Sequence, residues 1–335
     1  MKEIRKIQLT GKSTYIVSLP KKWVLTNKLK QGDTVILSYD SNKILISPGD
    51  IADRKSVEYR VEDDEPFNIV RQVISYYLAG YEAIKIIFGK KAETIRALIK
   101  KVIRKKMIGF EITDEGRDYI EIRSLLRHGE MSLSSTINRL LRLTEIILRD
   151  TLQALYNCDK ALAENIIVQD DDVDRLYLFI IRMIRFKISY FGLNEEFIEP
   201  YEYVIYNMFV KTIERIADHA VRIAHIVTSM KAIPPKELYN AILTLMGDAV
   251  DLYSKAYRAF LNRDVREANR VICSVKNLTA TEKEIVRKLE ESKLSVHQAI
   301  LMRILLESIR RIGEYAADIG EMTVDISTAP PKVTI

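Results

Sequence analysis

The sequence predicts a multidomain protein with a small basic β module at its N-terminus, a compact α/β domain behind it, and an all-α C-terminal half of tandem three-helix bundles. Three observations carry this prediction. Gly and Pro number only 12 and 8 among 335 residues, so turn-forming residues are scarce and long helices are favoured over a many-stranded sandwich. Apolar residues recur at helical spacing from about 131 to 325. Charge is unevenly placed: the net +6 lies entirely within residues 1–48, which hold nine basic and three acidic residues, and the remainder is balanced. A composition of 47% hydrophobic and 29% charged residues supports a large core in two or three domains and excludes disordered and fibrous classes.

Residues 1–48 read as β structure. Thr14–Leu19 and Thr34–Tyr39 are rich in β-branched and aromatic residues, and Asp40-Ser41-Asn42-Lys43 is a turn before Ile44-Leu45-Ile46. Pro20 opens a short helix over Lys21–Lys28, and Gln31-Gly32-Asp33 turns back into the sheet. A unit this small has too little core to stand alone, so association with a second copy is expected.

Residues 49–128 form the α/β domain. Strands are expected at Val57–Val61, Ala83–Phe88, Gly109–Ile112 and Tyr119–Ile122, with helices at Glu65–Ala79 and Ala92–Arg104. The connections are long enough for crossover helices, but strand order is not readable from the sequence.

The helical half divides into residues 129–233 and 234–335. Phe209, Ile213, Ile216, Ala220, Ile223 and Val227 keep a 4-3-4-3-4 spacing, and Leu305, Ile309, Ile312, Ala316 and Ile319 repeat it. The half also looks duplicated: Leu155-Tyr156-Asn157-Cys158-Asp159 matches Phe260-Leu261-Asn262-Arg263-Asp264, and Arg215-Ile216-Ala217-Asp218 matches Arg311-Ile312-Gly313-Glu314. The unequal offsets imply an insertion, placed near Phe191-Gly192-Leu193-Asn194, and Pro234-Pro235 marks the junction. Each copy has room for three helices.

Glu214 and Asp218 stand four residues apart on one helix, and Asp170 and Asp174 do so on the helix before it. Four carboxylates brought around one point repel each other, and a hard cation between them relieves that cost. Iron, manganese, magnesium or zinc suits such a site in a bundle. One acidic pair on one helix ordinarily marks a solvated or ion-paired face. Two pairs on neighbouring helices leave both readings open. His219 and His225 read as polar helix residues rather than ligands.

The run TIERIADHAVRIA (212–224), preceded by DDDVDRLY (170–177), resembles the repeated ExxxD signature of PhoU domains, and the duplication over about 195 residues resembles their two three-helix bundles. The resemblance implies metal clusters held by these acids and a part in regulating phosphate uptake, with Asp170, Asp174, Glu214 and Asp218 as metal ligands. In the second copy Arg310 replaces Glu214, Glu314 replaces Asp218, and Val275–Thr279 replaces the Asp170–Asp174 stretch. A site there would draw on Glu314, Asp318, Glu321 or Glu307, with Arg310 as a competing cation.

The N-terminal residues, with TGKSTYIVSLPKKW and KLKQGDTV as markers, resemble the AbrB/SpoVT swapped-hairpin β-barrel in the form found ahead of archaeal PhoU-like regulators. That resemblance implies a homodimer whose two chains interleave and bind double-stranded DNA through basic residues on one face. In a dimer the charge doubles to about +12, enough for several phosphate contacts and a steep salt dependence. Arg5 is the expected base reader, since its fork matches guanine in the major groove. Lys2, Lys6, Lys12, Lys21 and Lys22 suit phosphates. Trp23 reads as core rather than a stacking platform.

Cys158 and Cys273 are isolated thiols, which suits a reducing interior, and MKEIRKIQLT is too charged for a secretory signal. No apolar run approaches the roughly 20 residues of a membrane span. A cytoplasmic protein without membrane insertion is therefore expected. No catalytic residues are set up: Ser and His occur in no elbow or triad context, and no phosphate-binding loop is present. The expectation is a DNA-binding regulator of phosphate uptake, not an enzyme. The alternatives are a phosphate-signalling adaptor that docks a transporter or kinase, its barrel serving only to dimerise, and more remotely a metal-dependent phosphohydrolase.

Overall fold

The fold is that of a computed structural model, which describes residues 3–39, 44–48, 56–62, 65–88, 92–126, 130–189, 199–230, 233–292 and 294–328. Lys2, the turn expected at Asp40–Lys43 and the insertion expected near Phe191–Asn194 lie outside them.

The N-terminal region consists of two separate antiparallel hairpins. One pairs β1 (Gln8–Thr10) with β2 (Thr14–Ile16), the other β3 (Val35–Tyr39) with β4 (Ile44–Pro48), and α1 (Lys21–Thr26) lies between them. Gly11 at the first turn takes a φ of +67°, open to glycine at no steric cost. Among the described residues these strands form no closed barrel. Its apolar residues are left in water: Ile7, Tyr15 and Tyr39 are 73%, 74% and 79% exposed, and α1 buries none of its side chains.

The middle domain follows the expected order of elements, each within a few residues of its predicted bounds. Its mixed sheet has the order β5 (Ser56–Arg60), β6 (Ala83–Ile87), β8 (Tyr119–Ser124), β7 (Phe110–Glu115). The parallel β5–β6 pair needs a crossover, supplied by α2 (Pro66–Leu78). Helix α3 (Ala92–Lys106) then leads into the β7–β8 hairpin. Ile69, Val73 and Tyr77 of α2 and Ile95, Ile99 and Ile103 of α3 pack with Ile84, Ile86, Ile120 and Ile122 of the sheet. Glu93 in the first turn of α3 and Arg104, Lys105 and Lys106 in its last complement the helix dipole.

The C-terminal half contains α4 (Leu133–Asn157), α5 (Lys160–Ser189) and α6 (Pro200–Ser229), then α7 (Lys236–Asn262), α8 (Val265–Glu290) and α9 (Val296–Ser327). The duplication is visible in backbone geometry. Cys158 and Arg263, aligned in the sequence repeat, both end their helices in the left-handed region at φ +53°. Each is followed by an Asp that accepts from the next helix's first turn, Asp159 from the Leu162 N–H at 3.0 Å and Asp264 from the Arg266 and Glu267 N–H groups at 3.0 Å. Every residue of the two predicted seams is buried, and one core joins the two bundles. Helices α4 and α6 of the first bundle pack on α7 and α9 of the second, with the Phe209 and Phe260 rings stacked 3.8 Å apart.

Helix α5 also carries the middle domain. Phe179 belongs to that domain's core. Buried Arg182 donates to the Tyr77 carbonyl oxygen at the end of α2, and its guanidinium lies 5.0 Å from the Tyr77 and Phe110 rings.

Candidate functional site

The first bundle brings Asp170 and Asp174 of α5 next to Glu214 and Asp218 of α6. The i, i+4 spacing puts each pair on one helical face, and the tight α5–α6 packing sets the two faces against each other. Their charges act on one another. Asp170 is lifted from an ordinary 3.8 to about 6 by burial, then by Asp174, with Lys106 opposing and Glu214 and Asp171 adding to the rise. Asp218 is lifted from 3.8 to about 7 by loss of solvent around its carboxyl, then by Glu214, Asp170 and Asp174. Asp218 still keeps an exposed edge, so the cluster opens to water on that side. One Asp170 carboxylate oxygen is buried without a hydrogen-bond partner, and Glu214 is only 8% exposed.

Two lysines already reach the cluster. Lys211, one turn before Glu214, donates to both Glu214 carboxylate oxygens at 2.6 Å. Lys106 comes from the other domain: from the last turn of α3 its ammonium ion-pairs with Asp174 and lies 3.7 Å from Asp171. The adjacent Lys105 ion-pairs with Asp171. Neither lysine was visible as a site residue in the sequence. The expected helix stops at Arg104, short of both Lys105 and Lys106, and where they dock depends on tertiary packing 68 residues away along the chain.

The donor chemistry fits a hard cation: four carboxylates, one of them with a buried unpartnered oxygen, and no sulfur. The carboxylates are not drawn together in ligand geometry. Among the described residues no group of three or more His, Cys, Asp or Glu side chains is placed to hold a metal ion. Asp174 and Glu214 are instead held by Lys106 and Lys211. His219 stays out of the cluster. Its ring lies 5.8 Å from that of Tyr315, and burial followed by nearby Arg222 and Arg311 lowers it from 6.5 to about 4.

The second bundle differs at the corresponding place. Glu314 is ion-paired with Arg310 and with Arg311 at 3.0 Å. Asp318 is raised by burial, then by Glu321 and Glu314. The groove between α8 and α9, about 450 Å³, is lined by Lys283, Arg287, Arg303 and Arg310 together with Glu282 and Glu290. Buried Glu282 holds Arg303 at 2.7 Å. Where repeat 1 gathers acids, repeat 2 gathers bases.

In the N-terminal region Lys6, Lys12, Lys21 and Lys22 are exposed, while Arg5 ion-pairs with Glu3. Trp23 is half-buried.

Residues 137–227 and 242–323, just over half the chain, match the PhoU domain. The chain belongs to the PhoU family. Its PhoU half is similar to the phosphate-specific transport system accessory protein PhoU homolog 1 of Thermotoga maritima, 23% identical over 58% of this chain and 86% of that one. The corresponding Zymomonas mobilis homolog is 29% identical over 56% and 79%. The fold matches the crystal structure of PhoU from Pseudomonas aeruginosa, with a TM-score of 0.53 at 20% identity, covering 58% of this chain and 94% of that one. The phosphate transport system regulatory protein PhoU from Streptococcus pneumoniae gives 0.50 at 18%, covering 58% and 95%. Ahead of the PhoU half, residues 8–53 match the antidote-toxin recognition domain MazE, a bacterial antitoxin family. A PhoU regulatory half thus follows an AbrB/MazE-like N-terminal domain. Among the described residues no helix is long and apolar enough to cross a membrane.

Proposed function

We propose that this protein is a cytoplasmic, dimeric, DNA-binding regulator of phosphate uptake, whose PhoU half reads phosphate status or a partner protein. The observation that carries this is the N-terminal module: exposed lysines beside apolar residues that one chain leaves in water. A second copy would cover those residues, since their burial is worth about 25 cal/mol per Å². The exposed lysines would then line a doubled basic face for DNA. The phosphate link comes from the relatives, which are named as phosphate transport accessory or regulatory proteins.

The cluster of Asp170, Asp174, Glu214 and Asp218 is proposed as the metal-binding part. When bound, a divalent or trivalent cation would neutralise carboxylates that now repel each other. Asp170 supplies the unpartnered oxygen, Asp218 the solvent-facing edge, and Asp174 and Glu214 would exchange their lysine partners for it. Repeat 2 is the weaker site, since Glu314 is already held by two arginines. Nothing in the cluster calls for turnover.

The test is binding of the full chain to its own upstream DNA at low salt. Binding should weaken steeply with salt and vanish on deletion of residues 1–48; persistence after the deletion would refute the reading. The relatives match along most of their length without this module, which favours a second reading, an adaptor docking a transporter or kinase. Lys21→Glu with Lys22→Glu separates the two: it abolishes regulation in the first and leaves it intact in the second.

A further inference from the structure

Four facts meet on α5. The acid cluster is short of positive charge, yet one of its two cations, Lys106, belongs to the middle domain rather than to the bundle. Lys105 beside it holds Asp171. The ion pairs lie at the surface end of α3, with Lys106 and Asp174 each 28% exposed, just ahead of buried Met107 and of Ile108, which packs against the bundle core. Two helical turns further along α5, the middle domain is attached in another way, through buried Phe179 and through Arg182 set against the Tyr77 and Phe110 rings.

We infer that Lys106 is a tethered counter-ion of the acid cluster and that it and a bound cation compete, so that cation binding releases the end of α3 from the bundle. The inference rests on the reading that the cluster takes a metal. The physical basis is plain. An ammonium at ion-pair distance from Asp174 and a multivalent cation on the same carboxylate would repel each other across a few ångströms in a partly dry site, so each weakens the binding of the other. Lys106 has a flexible stem and can leave for water at little cost. Arg182 cannot, since leaving would strip a buried cation of its carbonyl and its rings. The middle domain therefore has a fixed apolar attachment, around Arg182, Phe179, Leu78 and Ile108, and a releasable ionic one. Release at Lys105 and Lys106 lets it turn about Arg182. The two-state element is the α3–α5 ion-pair contact.

The test uses the full chain freed of metal by chelation and titrated with Mn²⁺, and separately with Zn²⁺, by calorimetry and by hydrogen exchange. In the unaltered chain cation binding should raise amide exchange in the last turn of α3 and leave the end of α2 near Tyr77 unchanged. Lys106→Met should tighten cation binding by about tenfold, the scale of removing one competing charge from a partly buried site. Lys105→Met, which removes the partner of Asp171, should change it less than about twofold. If the unaltered chain binds the cation, yet α3 exchange does not change and Lys106→Met binds no tighter, the latch is overturned and the metal reading survives. If neither the unaltered chain nor Lys106→Met binds either cation, the metal reading falls and the latch falls with it. The exchange measurement needs no variant, so a folding defect in Lys106→Met leaves a decisive result.

Discussion

Asp218 and His219 are neighbours in sequence with opposite proton chemistry. Asp218 has a folded-state value near 7 against an ordinary 3.8, so the folded chain binds that proton more tightly than the unfolded chain does. Asp170, near 6, acts in the same sense. Stability of the metal-free protein should therefore fall as pH rises from about 4 to 7 through these two groups. Asp218→Asn should remove the upper part of that fall and, at pH 8 in chelator, raise stability by less than about 1 kcal/mol, because water at its exposed edge screens the repulsion. The same variant should lose the stabilisation that added metal gives. His219 runs the other way: its value near 4 lies below 6.5, so the folded chain resists its protonation and stability is lost as pH drops from 6.5 towards 4. Melting temperature against pH for the unaltered chain, Asp218→Asn and His219→Gln separates the two. An unchanged pH profile in Asp218→Asn would contradict the account of the cluster.

At the scale of elements, the left-handed helix ends and the close helix crossing give the next predictions. Cys158→Gly should change stability by less than about 1 kcal/mol, since glycine takes the left-handed region freely while the thiol it removes lies 3.5 Å from the Tyr239 hydroxyl. Arg263→Gly at the equivalent position should destabilise, because Arg263 is the 2.5 Å partner of buried Glu202 and also caps the Ile326 carbonyl at 2.9 Å. Chemical denaturation of both variants checks the contrast. On α9, a Cβ at Gly320 would lie 3.0 Å from the Ala268 backbone carbonyl oxygen, whereas the nearest atoms to one at Gly313 are the Leu278 methyls at 3.1 and 3.2 Å. Gly320→Ala should cost about 1–2 kcal/mol despite its better helix propensity. Gly313→Ala should be near neutral, since Leu278 can turn aside. The helices and their seams were legible in the sequence because a 3.6-residue apolar period depends only on local geometry and one buried face. The acid quartet was legible for the same reason. Lys106 was not, because its position at the cluster comes from the docking of α3 on α5. Strand order in the middle sheet was unreadable on similar grounds: β8 lies between β6 and β7 through pairings that no local pattern encodes.

At the scale of the whole molecule, the N-terminal module is the incomplete part. Among the described residues its two hairpins form separate two-stranded sheets, whereas the PhoU half has a continuous core of its own. The full chain should therefore be dimeric and a chain starting at residue 49 should be monomeric or much weaker in association, as read by light scattering across a dilution series. The +6 of residues 1–48 belongs to that module, so DNA affinity should fall by orders of magnitude between low and physiological salt while the oligomeric state holds. The central claim is that one chain links DNA to phosphate status, and genome-wide mapping of bound DNA at high and at low phosphate tests it most directly. Discrete sites upstream of phosphate-uptake genes whose occupancy changes with phosphate are predicted; no enriched DNA in either condition would contradict it.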